Sequence, residues 1–436
     1  STIAIESGQQ IRLGRDLYAG KLIDLRGGVD PYNPAESFSG QGIILSGTTH
    51  VATWQQNSTI NLSAAGDLSI LAPAWTQELT ADGFGQFADG HITSDVILKL
   101  EFNDGSGFKA YDLVVTTAAT ADNTGLAGLR DDLQAAIDAK LGMDPDTGDS
   151  YLKARLTDGR ILLTSWYNFR LLKAGSTQAA LLGFSQLDTA DAVSGRLITV
   201  DAAAAGSVVN IGKDGVFNGK IYIGGWVRGA SAVNLYSGIK ADGSQDFDLD
   251  VTGTIETLTG GIVLNPGDHG VIKGDLIARG TGADIVIQAK HTLELRGDLL
   301  AQDDILITAG TNVTPGEVSI YTHGTSHFNT IDPDGVITIT GLNDVDINSS
   351  IGRESNALRR LQITSTEGTL LINKEAGNIQ TGGELLLSGN EVDLAGVVSS
   401  TRATPAAFDN EIIVAATGSV VIRGDLNLAG SLLVSA

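Results

Sequence analysis

Cysteine is absent from all 436 residues, methionine occurs once, and proline occurs only 8 times. Without thiols the chain has no disulfide scaffold, no thiolate metal site and no thiol nucleophile. Positive charge is also scarce. Lys and Arg number 28 against 51 Asp and Glu, and the formal net charge of −23 opposes non-specific binding to nucleic acid or to anionic lipid. No stretch approaches the roughly 20 apolar residues that a membrane helix needs. The greasiest runs are as short as Gly42-Ile43-Ile44-Leu45 and Glu384-Leu385-Leu386-Leu387. The chain opens at Ser1 with no charged segment leading into an apolar one, which reads as a processed protein or a segment cut from a longer one. Charged residues make up only 18% against 42% hydrophobic, so this is no charge-driven disordered polymer, and a large core can be buried.

What is abundant is glycine, 55 residues of it, set between short alternating apolar stretches. Four segments share one template: Ile11 to Ala19, Val271 to Ala278, Leu293 to Ala301 and Val421 to Ala429. Each has a short alternating strand, a basic residue near a Gly, then Asp-Leu and a second short strand. Gly66-Asp67-Leu68-Ser69-Ile70 is a fainter copy. Gly274 and Gly297 stand 23 residues apart, and Gly297 to Gly341 is 44, two further steps of 22. A period near 22 with several short strands per period is what one coil of a parallel β-helix requires. The alternation of Ile305, Ile307, Val318, Ile320, Ile337, Ile339, Val345 and Ile347 then predicts side chains pointing into a shared central core. Glycine suits the corners, and proline is rare because the ladders between coils need the backbone N–H groups.

The middle of the chain has a different rhythm. Residues 95–102 and 111–115 read as paired strands around Asn103-Asp104-Gly105-Ser106-Gly107. Leu126, Leu129, Leu133, Ile137 and Leu141 form one helical stripe, with Asp122 or Asn123 as N-cap and Gly142 as the stop. A hairpin follows, Tyr151 to Leu156 and Arg160 to Ser165 around Asp158-Gly159. The expected fold class is therefore mainly β: a right-handed parallel β-helix, or solenoid, with one inserted small α/β module of ββαββ type. The expected division is 1–91 and 191–436 for the β-helix and 92–190 for the module.

The Gly-Asp-Leu strand pairs, the run Asp304-Ile305-Leu306-Ile307-Thr308-Ala309-Gly310 and the stretch Ile351 to Thr364 resemble the filamentous-haemagglutinin-like β-helices of giant bacterial surface proteins. This resemblance covers about 300 residues. The middle module resembles the insertion domain of flagellins and hook-associated proteins. The residues that carry this are the paired strands, the helix after Asp122-Asn123-Thr124, the Asp158 to Ser165 strand and Ala180-Leu181-Leu182-Gly183-Phe184. Nothing here looks like the coiled-coil ends of a flagellin. The two resemblances imply a bacterial chain exposed outside the cell or on its surface, with no catalytic residues in the module.

Several constellations invite chemistry. Arg296-Gly297-Asp298 and Arg423-Gly424-Asp425 match an adhesive tripeptide, but each sits between strand and strand of the repeat, where Gly makes a corner. Asp144-Pro145-Asp146-Thr147-Gly148-Asp149 starts like a calcium loop yet lacks the closing acid near Arg155, so it reads as a solvated turn or at most one weak surface Ca²⁺ site. Of the six His residues (50, 91, 269, 291, 323 and 327), His323 and His327 are four apart, outside any helix and without a third ligand. Asp275 and Asp298 recur with the repeat, and aromatics are only 5%, which disfavours a β-helix polysaccharide lyase or hydrolase. No catalytic, cofactor-binding or metal-ligating residues are assigned, and no cofactor is implied.

The function expected is a non-enzymatic structural segment of an extracellular bacterial surface or filament protein, forming a stiff acidic rod. Thr2 to Ile5 and Leu432 to Val434 both read as strand, so the expected partners are a second copy stacked end to end or the continuation of a longer chain. The alternative is an adhesin that binds a glycan or host protein through the module, where Trp166, Tyr167 and Phe169 concentrate. Neither reading involves nucleic acid or a membrane span.

Overall fold

The alternating strands and their glycine corners wind into coils of three short strands each. The computed structural model describes residues 1–28, 41–46, 49–71, 77–82, 89–103, 107–143, 150–157, 159–196, 199–212, 219–237, 249–311, 313–314, 317–352, 358–373, 379–400, 411–428 and 431–436. Ser1–Ala72 and Ile198–Ala436 form one compact unit, and Pro73–Leu197 forms a second.

In the first unit, one coil lays down Gly261–Asn265, Gly270–Ile272 and Leu276–Ala278. The next lays down Ile285–Gln288, Leu293–Leu295 and Leu299–Ala301. Each strand pairs in parallel with its counterpart one coil on, as in Ile262 with Ile285, Val271 with Glu294 and Leu276 with Leu299. The result is a parallel β-solenoid with three faces. The third face is a 12-stranded sheet, and the first and second together form a 23-stranded one. They are joined because Glu384–Leu394 and Glu411–Ile422 each run straight across both faces.

A strand inside such a stack hydrogen-bonds on both edges, so only its side chains are left to choose between core and solvent. The inward set is almost wholly aliphatic: Ile305, Ile307, Ile337, Ile339, Val345 and Ile347 are all buried in one continuous core. Each such side chain contributes about 1.5–3 kcal/mol by leaving water. Val318 departs from the expected alternation. A register shift between Val318 and Ile320 turns Val318 outward, while Ser319 and Ile320 are both buried.

Coil length varies more than a period of 22 suggests. Ile305 pairs with Ile285 at a step of 20, and with Ile337 at a step of 32. Gly341 accordingly is not the corner equivalent of Gly297. It ends a first-face strand, Val336–Gly341, paired with Ala309 and Ser365, whereas Gly297 turns the chain from the second face to the third. That second corner is the most regular element of the solenoid. At Gly274 the N–H groups of Lys273 and Gly274 both donate to the Val251 carbonyl of the preceding coil, at 2.7 and 3.0 Å. Arg296 and Gly297 repeat this on Ile272, and Ala395 and Gly396 on Ile372. The glycines stack so closely that a Cβ on Gly253, Gly274, Gly297 or Gly424 would land on the carbonyl oxygen of Gly225, Gly253, Gly274 or Gly396 respectively.

The chain leaves the solenoid at one such corner. Asp67–Ile70 is a second-face strand and Val200–Ala202 the third-face strand that completes the same coil. Ile70 pairs with Ile223 and Val200 with both Val51 and Val227, so the ladders run on in register across the insertion.

The second unit holds two four-stranded antiparallel sheets and a helix. Phe108–Val115, Val96–Asn103, Phe169–Thr177 and Ala192–Val193 form one sheet; Lys153–Thr157, Arg160–Ser165, Gln77–Thr80 and Gly195–Arg196 form the other. Gln77–Thr80 and Gly195–Arg196 pair within the second sheet, so this unit extends beyond residues 92–190 on both sides. The helix Leu126–Leu141 buries Leu129, Leu133 and Ile137, the middle of the expected stripe, with Leu126 and Leu141 half-buried at its ends, and Gly142 ends it. Its N-cap is Gly125 rather than Asp122 or Asn123. The Asn123 amide instead donates to the Gly90 carbonyl and to Asp132, and Asp122 closes a separate 3₁₀ turn, Ala119–Asp122. No helix among the described residues is long and apolar enough to cross a membrane.

Candidate functional site

The corner between the first and second faces brings together side chains that sequence spacing keeps apart. Asp268 and His269 lie between Gly261–Asn265 and Gly270–Ile272. His291 lies at the same corner one coil on, between Ile285–Gln288 and Leu293–Leu295. Glu317 precedes Val318–Thr322 in the coil after that. Backbone bonds fix the alignment: the His291 N–H donates to the Asp268 carbonyl at 3.2 Å, and the Gly270 N–H to the Thr292 carbonyl at 2.9 Å.

The two imidazole rings lie with centroids 4.5 Å apart. His291 Nδ1 sits 3.2 Å from His269 Nε2 and 3.1 Å from Asp268 Oδ1. His269 Nε2 sits 3.5 Å from Asp268 Oδ2. Each ring has a partner at its other nitrogen. His269 Nδ1 is 2.5 Å from Thr292 Oγ1, and His291 Nε2 is 3.0 Å from Glu317 Oε2. Glu317 also accepts the Thr314 N–H at 3.2 Å. That backbone bond foremost, with the Thr314 hydroxyl and His291, holds the Glu317 carboxyl below the usual carboxylate range. Asp268 is buried, with its side chain 6% exposed, whereas that of His269 is 40% exposed, so the cluster opens to solvent on one side. It is the one set among the described residues that gathers three metal-capable atoms within 4.8 Å.

Sequence reasoning passed over this cluster because the residues are remote in the chain. The signal was available: His269 and His291 are 22 residues apart, one coil, with an Asp beside the first. The His pair weighed from the sequence is not assembled into a site. His323 Nδ1 lies against Thr325 Oγ1, and His327 Nδ1 against Asp298, both at 3.3 Å.

The Arg-Gly-Asp segment at 296–298 is built into the corner. The Asp298 N–H donates to Asp275 at 3.1 Å, and the Asp298 carboxylate accepts the His327 N–H at 2.8 Å, so each Asp ties its coil to the next. In the second unit Phe169 is buried, and Tyr167 packs with Phe102 and Tyr151 at centroid distances of 5.7 and 5.8 Å, leaving Trp166 as the exposed member of the three. The acidic loop 144–149 lies outside the described residues. No family model, no curated protein and no solved structure matches the chain.

Proposed function

We propose that this chain is a non-enzymatic structural segment of an extracellular bacterial surface or filament protein, acting as a stiff acidic rod. The observation that carries the reading is the single apolar core running from Ile11 to Val414, enclosed by in-register parallel ladders on three faces. Each coil adds about 4.8 Å of length. Bending or shearing such a stack strains many ladder bonds at once, which is the property a spacer needs. The net charge of −23 keeps it soluble and resists random association. Leu432, Leu433 and Val434 on Ser431–Ser435 are exposed, an apolar edge on which a second copy stacks in this reading. The resemblance to filamentous-haemagglutinin-like β-helices supports the same role.

The adhesin reading draws less support, because Trp166 is the one exposed residue of its three aromatics. Protease shaving of intact producing cells, with released peptides identified by mass spectrometry, tests the surface role. Peptides from this chain are expected in the shaved fraction; their recovery only after lysis overturns it.

A further inference from the structure

We infer that Asp268, His269 and His291 bind one divalent transition metal ion of the zinc class, with Thr292 and Glu317 orienting the two imidazoles. The inference goes beyond the structural role and does not depend on it.

The first ground is the direction of the lone pairs. Thr292 Oγ1 and Glu317 Oε2 each face one ring nitrogen, and a carboxylate can only accept, so Glu317 assigns the proton of His291 to Nε2. With Thr292 taking the Nδ1 proton of His269, both inner nitrogens present lone pairs. In those tautomers the two inner nitrogens and the Asp268 carboxylate, within 4.8 Å of one another, are three acceptors with no donor among them. A cation is what such a triangle accepts.

The second ground is size. A tetrahedral ion with about 2.0–2.1 Å bonds holds its ligand atoms about 3.3–3.4 Å apart. His291 Nδ1 supplies two such spacings, 3.2 Å to His269 Nε2 and 3.1 Å to Asp268 Oδ1, while His269 Nε2 lies 3.5 Å from the other carboxylate oxygen, Oδ2, and one atom from each residue lies within 4.8 Å of the other two. The third is the outer shell. Metal-bound histidines nearly always donate their other N–H to a carboxylate, backbone carbonyl or water, which fixes tautomer and ring orientation; Glu317 is such a carboxylate for His291, and the Thr292 hydroxyl takes that place for His269. Two imidazoles with one carboxylate select zinc-class ions over calcium or magnesium, which prefer all-oxygen shells. The solvent-facing side beside His269 leaves the fourth position for water. Because the ligands come from successive coils, the bound ion clamps one coil to the next.

The test uses the full chain without a histidine tag, stripped with chelator and titrated with Zn²⁺ by calorimetry, and with Co²⁺ by visible absorption. One ion per chain is expected, with Co²⁺ giving the intense bands of a four-coordinate site. His291→Ala and His269→Ala should abolish saturable uptake, and His327→Ala should leave it unchanged. Glu317→Gln and Thr292→Val should each weaken uptake about 10–100-fold. They carry the test if a histidine variant fails to fold, since both positions lie outside the core. Histidine-ring ¹⁵N spectra should show the Nε2 resonance of His269 and the Nδ1 resonance of His291 moving on stoichiometric Zn²⁺. The inference is overturned by absence of uptake, by uptake indifferent to Glu317→Gln and His291→Ala, or by rings that share a proton and ignore the metal.

Discussion

Gly274→Ala is the sharpest probe of the solenoid, because it adds one methyl group at a place with no room. The backbone at Gly274 is not left-handed, so alanine meets no intrinsic strain there. The whole penalty comes from the neighbouring coil: the new Cβ falls on the Gly253 carbonyl oxygen, which belongs to backbone and cannot rotate away. Overpacking of this kind costs about 1–3 kcal/mol. Relief requires the coils to part locally, which loosens the bonds from Lys273 and Gly274 to the Val251 carbonyl, each contributing about 0.5–1.5 kcal/mol. Lower entropy of the unfolded chain returns about 0.4–1 kcal/mol. The expected net loss is about 2–3 kcal/mol. Gly14→Ala is the matched control, since it has no neighbour within 4 Å and no left-handed backbone, and it should be neutral or stabilising by about 0.4–1 kcal/mol. Stacked coils need not unfold in one step. Urea denaturation should therefore be paired with native-state hydrogen exchange at Lys273 and Gly274. Equal midpoints for the two variants, with unchanged protection at those amides, would refute the stacked-glycine account.

Other consequences can be checked alongside. Phe328→Ala empties a fully buried position between Leu299 and Ile351, and a loss of about 3–5 kcal/mol is expected in denaturant titration. Burial raises the Asp346 carboxyl above its ordinary value, so its contribution to stability is present at low pH and lost as pH rises through the folded value. Asp346→Asn, which can keep accepting from Asn348, should therefore melt above the parent at neutral pH, with the margin closing below about pH 3.9. Ile70 and Val200 hold the places that Ile272 and Leu276 hold in a later coil. Replacing the residues between them with Lys-Gly-Asp should leave a folded solenoid with unaltered protection at Val51 and Gly224, whose N–H groups donate into the rejoined coil; loss of that protection would count against a register independent of the insert.

Much of the solenoid could be read from residue order alone, because alternation is a local property. Ile337 and Ile339 point inward for the same reason that they are two apart, and no long-range knowledge is needed to see it. Which coil follows which was harder. Steps of 20 and 32 occur side by side, so a fixed period mislabels Gly341, and one extra residue at Ser319 reverses Val318. The helix stripe was legible, but its cap was not, because Asn123 spends its side chain on Gly90 and Asp132. Phe169, Tyr167 and Trp166 look alike as a cluster in the sequence, yet strand pairing sends Phe169 to the core and leaves Trp166 outside. The spacing of His269 and His291 matched the 22-residue period, but steps of 20 and 32 elsewhere give that match no weight over other spacings in residue order alone.

The unbroken register across the second unit has a consequence for how such a chain can change over time. A coil that is resumed in phase has no memory of how long the excursion was, so the length and content of an inserted segment are invisible to the ladders above and below it. Every corner of this kind is then a socket, and a guest module can be gained, exchanged or lost there by events that leave the host's pairing scheme untouched. Divergence in this protein's lineage should therefore be sudden in length at corners and slow in the inward-facing positions, a pattern that comparison of natural variants can read directly.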